Sequence, residues 1–299
     1  MKTTKKPLDS IRTEKDARKF FEGIRWPNGI ACPKCGVQDN PYRIKRESEK
    51  REILRCKHCK RDFSVTTGTV FEGSHIPLIT WFRAFVLLSS SKKGISSHQL
   101  SRMLGITQKS AWFMAHRIRF AFTNKPHKKL EGIVEADETY IGGKTRGIRG
   151  RGAKNKTPVF ALVERNGDIR VFPVKNVKSR TLKKIIRENV DKKSIIMTDE
   201  FRSYRGLNKE FAGHETVQHG IREYVRGSAY TNTVEGFFSI MKRGIKGIYQ
   251  HVSHQHLHRY TDEFGYRYNT RKQTDTERMI GSIENCEGKR LMYRDSSNL

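Results

Sequence analysis

Glu235 and Lys242 lie seven positions apart in the stretch from Tyr230 to Gly247, whose Val234, Phe237, Phe238 and Met241 recur at helical spacing. Seven residues is two helical turns, so acid and base fall along one side of an amphipathic helix. An acid and a base so placed can face a common site, the carboxylate on a metal ion and the ammonium on a phosphate. A solvated helix face with ordinary charges is the competing reading. Two other acidic positions weigh against it. Glu135, Asp137 and Glu138 crowd one apolar segment, and Asp199-Glu200 ends another. A different chemistry is written in Cys32-Pro-Lys-Cys35 and Cys56-Lys-His-Cys59, separated by twenty residues. Two such pairs can supply four thiolates to one tetrahedral zinc ion. His58 could replace one thiolate, but four cysteines already complete the shell. Gly36 follows the first pair, where a knuckle turn needs positive φ.

The elements that must position these groups follow from periodicity. Residues 12–24 carry Ala17, Phe20, Phe21 and Ile24 at helical intervals. Two short strands are expected between the cysteine pairs. An apolar helix over the segment ending at Leu88 comes next. Ser96 to Leu104 and Thr107 to Phe120 then form two helical patterns around Gly105, with Thr107 as N-cap, the cadence of a helix-turn-helix. Its second helix is expected to bury Ala111, Trp112, Met114 and Ile118 and to display Gln108, Lys109, Ser110, His116, Arg117 and Arg119 toward DNA. A plain helical hairpin is the alternative.

After a linker at 124–131 the period changes from 3.6 to 2. Residues 132–141 read as a strand with Ile133, Glu135 and Asp137 on one face. A bound divalent cation is the simplest offset to so much acid on a strand; a solvated edge strand is the alternative. Residues 142–156 form a Gly and Arg/Lys tract, with Lys144, Arg146, Arg149 and Arg151 expected to contact phosphates. Asn166-Gly167 marks a hairpin between two further strands. A helix over 179–190 and a short buried strand over 194–198 follow, then irregular chain, then the helix that bears Glu235. A last helix is expected from Leu257 to Thr270, and a polar, loosely held tail at 276–299. This order is that of a ribonuclease H-like fold, in which Asp137, Asp199 and Glu235 converge at one end of the sheet. The fold class is therefore α+β multidomain: an N-terminal helix (1–24), a zinc ribbon (25–70), a helix-turn-helix region (71–123) and a ribonuclease H-like α/β domain with a mixed sheet (132–275).

Composition bounds the partners. There are 60 Lys plus Arg against 31 Asp plus Glu, a formal net charge of +29. Such a field attracts a polyanion, of which nucleic acid is the commonest. No apolar run approaches the length that spans a bilayer. The N-terminal segment lacks the apolar stretch of a secretory signal, and cysteines paired by metal-ligand spacing suit a reducing compartment, so a cytoplasmic, nucleoid-associated protein is expected. Cys286 has no partner in sequence. The run His251, His254, His256, His258 is explained as well by a basic helix as by a metal site.

At this point the chain resembles bacterial and archaeal insertion-sequence transposases of the Asp-Asp-Glu class, the branch with an N-terminal zinc ribbon. The resemblance rests on both cysteine pairs, on GluAlaAspGluThrTyrIleGlyGlyLys and ThrAspGluPheArgSerTyr, and on the long motif from Asn232 to Val252. It extends to ArgTyrThrAspGluPheGlyTyrArgTyrAsnThrArg and covers roughly residues 15 to 275. It implies that Asp137, Asp199 and Glu235 hold two Mg2+ or Mn2+ ions, with Lys242 the basic residue that accompanies the third acid. Some relatives carry Asn rather than Glu as the third member, so Asn232, three positions earlier on the same helix, is a possible auxiliary or competitor. It implies cleavage at transposon ends by water and strand transfer by the freed 3'-OH, with Lys242, Arg243 and Lys246 on DNA phosphates. Double-stranded DNA and further copies of the same chain are the partners implied. A nuclease or resolvase of the same fold, or a DNA-binding regulator with an inert catalytic region, are the rivals.

Overall fold

In the computed structural model the described residues are 10–38, 41–44, 52–123, 128–143, 155–217 and 230–293. The chain is mixed α+β and divides into two compact units. The first comprises Met1–Ser91, Ile95–Phe122 and Gln273–Leu299; the second comprises Lys92–Gly94 and Thr123–Lys272.

The first unit opens with α1 (Glu14–Arg25), started by a capping box in which Thr13 and Asp16 satisfy each other's backbone N–H. Strands β1 (Tyr42–Ile44), β2 (Ile53–Arg55) and β3 (Asp62–Phe63) pair antiparallel in that order. The apolar helix α2 (Leu78–Ser90) follows Pro77 and has no local side-chain cap. Its cap comes from elsewhere: the N–H groups of Leu78 and Ile79 donate to the Glu14 carboxylate at 2.9 and 3.0 Å. Between the two helices sits an aromatic cluster, with Phe21 to Phe71 at 4.9 Å and Phe71 to Trp81 at 5.2 Å between ring centroids. Helices α3 (Ser97–Leu104) and α4 (Gln108–Phe122) meet at Gly105, whose φ of +64° closes the turn without steric cost. Thr107 Oγ1 accepts the Ser110 N–H at 3.2 Å, the N-cap read from the sequence.

The outward face expected of α4 is half wrong. Gln108 and Lys109 are exposed, but His116, Arg117 and Arg119 are buried, the two arginines at 5% and 2% exposure. Arg117 Nε donates to the Leu291 carbonyl at 3.1 Å and Nη2 to the Glu72 carbonyl at 2.7 Å. A guanidinium with backbone carbonyls to bond can be interior. Arg117 therefore ties chain segments together instead of facing DNA. Trp112, expected inside, is half-buried.

The second unit is built on one sheet of order β6-β5-β4-β7-β8. Its strands are β4 (Ile133–Gly142), β5 (Lys156–Glu164), β6 (Ile169–Pro173), β7 (Ile195–Asp199) and β8 (Gly213–Val217). The first three form an antiparallel meander; β7 and β8 run parallel to β4. Helix α5 (Ser179–Asn189) packs Leu182 and Ile186 with Val134, Ala136, Phe160 and Leu162 on one face. Helices α6 (Asn232–Gly244) and α7 (Leu257–Asn269) pack Val234, Phe237, Met241 and Phe264 with Val159, Ala161 and Val163 on the other. α6 runs on into one π-helical segment, Ile245–Tyr249.

Two readings need correction. Residues read as irregular before α6 include β8, which lacks an apolar run yet completes the sheet edge. The expected loose tail includes α8 (Asp275–Glu284), opened by a Thr274/Glu277 capping box, with Met279, Ile283, Cys286 and Leu291 buried. That segment belongs to the first unit. Burial pushes the Cys286 thiol up, which keeps it protonated and inert.

Glu14 satisfies two otherwise orphaned donors of α2 with a charged acceptor. Glu14→Ala is expected to cost the first unit about 1–2 kcal/mol, read as a lower urea midpoint by tryptophan fluorescence.

Candidate catalytic centre and cysteine cluster

The two aspartates are related by strand register. β4 and β7 pair as Ile133 with Ile195, Val134 with Ile196 and Glu135 with Met197, and there the pairing stops. Continued for two residues, the same register sets Asp137 opposite Asp199, the last residue of β7. Asp137 pairs with Ala161 on β5, and Ala161 packs with α6, so alternation turns Asp137 to the α6 face. Glu235 is in the first turn of α6, where Thr231 Oγ1 donates to its Oε1 at 2.9 Å.

Electrostatics join these groups. The Asp137 carboxyl is held well above the usual carboxylate range, first by burial, then by the charge of Glu138, with Asp199 and Glu235 adding to it. The Glu138 N–H, donating to Asp137 Oδ1 at 2.8 Å, opposes the shift. Burial lowers the Lys242 ammonium, against a pull from Asp137. Asp199, Glu235 and Lys242 thus all act on Asp137 through space. Among the described residues, however, only the four cysteines gather three or more donor atoms within 4.8 Å of one another. The three acids act on one another through space without gathering at one point. Asn232, at the start of α6, is exposed. Glu138 points to the opposite face, where it accepts from the buried Tyr204 hydroxyl at 2.6 Å.

Glu135 departs from expectation. It is wholly buried, and no cation is needed to offset it. Arg165 Nε donates to its Oε1 at 2.9 Å. The Thr233 hydroxyl donates to Oε1 at 2.9 Å, and the N–H groups of Thr233 and Val234 donate to Oε2 at 2.9 and 3.1 Å. Neither this partnership nor the role of Arg165 was read from the sequence. No local signal pointed to it, because Thr231, Asn232 and Thr233 all read as competent N-caps.

The cysteine geometry is that of a metal cage. Cys32 and Cys59 Sγ lie 3.7 Å apart, as do Cys35 and Cys56. A tetrahedron with Zn–S bonds of about 2.3 Å has edges of about 3.8 Å. Gly36 and Lys60, each following a pair, both take positive φ (75° and 58°). The Cys56 thiol is pulled down to about 7, first by the Cys59 backbone N–H at 3.5 Å, which favours the thiolate that a metal needs.

Of the other residues singled out as DNA contacts, Arg243 and Lys246 are exposed, at the end of α6 and in the π-helical segment. Gln108 donates to Ser97 Oγ at 2.9 Å, and the Lys109 ammonium stands 4.9 Å from the Tyr293 ring centroid. Lys144, Arg146, Arg149 and Arg151 lie outside the described residues. The histidine run does not gather: His251 and His254 are exposed while His256 is buried.

The raised Asp137 pKa has a consequence for stability. Between the ordinary carboxylate pKa, about 4, and the raised one, the folded chain keeps a proton that the unfolded chain has lost. Stability therefore falls as pH rises through that window. With metals chelated, Asp137→Asn should raise the melting temperature of the second unit at pH 8, and the gain should vanish as pH falls toward 4.

Comparison with known proteins agrees with this division. Residues 129–269 match the ISXO2-like transposase domain, and residues 12–62 match the transposase zinc-ribbon domain. A protein of the transposable element ISH50 from Halobacterium salinarum is 32% identical over 256 residues, covering 79% of this chain and 85% of the relative. A transposase-like protein from Haemophilus influenzae is 33% identical over 96 residues, covering 32% of this chain and 76% of that protein. The chain belongs to the ISXO2-like family of zinc-ribbon insertion-sequence transposases.

Proposed function

We propose that this chain binds the terminal repeats of an insertion sequence as duplex DNA and catalyses metal-dependent strand cleavage and strand transfer. The observation that carries the reading is the β4–β7 register, which, continued two residues past its last pair, would set Asp137 opposite Asp199 on the sheet face covered by α6, the helix of Glu235 and Lys242. A sheet whose strands lie 3-2-1-4-5 in order, the second antiparallel to the rest, supports a ribonuclease H-like domain.

Asp137, Asp199 and Glu235 offer hard oxygen donors of the kind Mg2+ and Mn2+ prefer. Bound there, two such ions would neutralise charge on the attacking and leaving oxygens of a phosphodiester. The protein's part is positional and electrostatic. Asp137, whose carboxyl burial holds above the usual carboxylate range, would bind an ion in its ionised form. Glu235 is oriented by the Thr231 hydroxyl. Lys242, its ammonium partly desolvated, meets a phosphate oxygen beside Asp137. Arg243 and Lys246, exposed farther along, hold neighbouring phosphates. The four cysteines hold a structural zinc ion, a site chemically separate from the catalytic one.

The hairpin of α3 and α4 reads as a helix-turn-helix, with Gln108 and Lys109 at the exposed start of its second helix toward base edges and phosphates. Joining two transposon ends calls for at least two copies of the chain on DNA. No described helix is long and apolar enough to cross a membrane.

Two experiments test this. Asp137→Ala, Asp199→Ala and Glu235→Ala should each abolish Mg2+-dependent nicking of a labelled terminal-repeat duplex while gel-shift affinity stays within about threefold; retained nicking removes the residue from the site. A pre-cleaved end should join to target DNA, which a simple nuclease would not do. Separately, metal analysis should find about one zinc per chain, falling to near none in Cys56→Ser.

A further inference from the structure

Glu135 is the buried acid for which metal-assisted phosphoryl transfer has no use. It precedes Asp137 by two residues on the same face of β4 and accepts four hydrogen bonds, from Arg165, Thr233 and Val234. Three of the four come from the first turn of α6, through Thr233 and Val234. α6 has no side-chain cap of its own at Thr231, whose hydroxyl is committed to Glu235. Helix N-terminal N–H groups leave a partial positive charge that a carboxylate stabilises. The fourth bond comes from Arg165, in the turn after β5, and Arg165 Nη2 also donates to the Tyr230 carbonyl at 2.9 Å. The same guanidinium lies 3.5 Å from the centroid of the Tyr230 ring. One buried ion pair therefore grips both α6 and the residue that leads into it.

We propose that Glu135 and Arg165 are positioning residues of the catalytic centre. They clamp the N-terminus of α6 to β4 and thereby set where Glu235 and Lys242 stand relative to Asp137. The reasoning is mechanical. Asp137 is fixed by a strand paired on both sides as far as Glu135. Glu235 rides on α6, one residue past the last N–H that Glu135 receives. Apolar packing by Val234, Phe237 and Met241 holds α6 against the sheet but is non-directional. Directional bonds at its first turn fix translation and rotation about the helix axis, which decide where the Glu235 carboxylate points. Glu135 acts through α6 and makes no contact with DNA or metal.

This rests on the reading that Asp137, Asp199 and Glu235 bind the catalytic ions, and the test separates the two claims. Hydrogen exchange is measured first on the full chain without divalent metal. Glu135→Gln should speed exchange in the peptide containing Thr233 and Val234 at least tenfold while β5 and α5 stay protected. Mn2+ binding is then titrated calorimetrically with zinc retained, and the affinity should fall about 10–100-fold, the range seen when groups that orient a ligand are removed. The milder Thr233→Val deletes one hydroxyl bond, keeps the ion pair and should move both readouts the same way by less. It also serves if Glu135→Gln does not fold. Unchanged α6 exchange together with unchanged Mn2+ affinity overturns the positioning role. Weakened Mn2+ binding with α6 exchange unchanged also overturns it, by making Glu135 a ligand. A wild-type chain whose Mn2+ binding ignores Asp137→Ala overturns the metal reading instead, and the exchange result still judges the clamp.

Discussion

Parallel pairing of β4 with β7 is the constraint to which the second unit answers. Adjacent strands lie about 4.8 Å apart, so a register that aligns Asp137 with Asp199 forces two carboxylates toward each other in a poorly solvated place. The pairing ends two positions before that alignment, at Glu135 and Met197. Beyond it β4 stays in the sheet through its bonds to β5, while β7 terminates. Opening the ladder where the acids begin relieves part of their repulsion. What remains is a minor addition to the raised Asp137 pKa, whose first cause is burial and second the charge of Glu138. Concentrated unfavourable charge of this kind is more common at functional sites than in structural cores. Here it is confined to the one sheet end that α6 overlooks with an acid and a lysine.

Holding α6 over such a place needs more than apolar burial, and the device is used twice in the chain. α2 begins after a proline and α6 after a threonine committed elsewhere, so neither has a local cap. Each is capped by a glutamate from another element: Glu14 from α1, Glu135 from β4. A tertiary cap does two jobs. It satisfies N–H groups that would otherwise be orphaned inside the protein. It also locks the helix to the element that supplies the carboxylate. The two differ in setting, since Glu135 is wholly buried and carries Arg165 as counter-ion. Breaking one side of such a pair leaves an uncompensated charge, which is why one partner cannot be lost without penalty.

The local code was legible. The knuckles around Cys32 and Cys56, the Gly105 turn with its Thr107 cap, the Asn166-Gly167 hairpin and the periodicity of α6 are each written within a few neighbouring residues. So was the alternation that sends Asp137 and Glu138 to opposite faces. What was not legible depends on partners distant in sequence. β8 reads GlyHisGluThrVal, with no apolar alternation, because its strand character comes from the parallel edge offered by β7. α8 reads as polar because only Met279, Ser282 and Ile283 are buried, against helices encoded some two hundred residues earlier. Glu135 was read among strand acids needing a cation to offset them because its counter-charge, Arg165, and its donors, Thr233 and Val234, are 30 and 98 or more positions away.

The same blindness affects how the basic excess is read. A formal +29 suggests a uniform field, yet Arg117, Arg119 and Arg259 are interior and Arg25 and Arg165 nearly so. Arg25, Arg117 and Arg165 donate to backbone carbonyls: Arg25 to Val65, Arg117 to Glu72 and Leu291, Arg165 to Tyr230. These charges are committed to tying segments together. They contribute to the far field that steers a polyanion, but they cannot pair with a phosphate or release its counterions. Among the described cations singled out for DNA, Lys109, Arg243 and Lys246 are exposed. Two of those three stand on the helix that bears Glu235 or its π-helical continuation. On the function proposed above, this element would present an acid to metal at one end and cations to phosphate at the other, and must be held in a fixed orientation for both to serve one strand. That requirement makes the grip on its first turn the critical joint of the second unit.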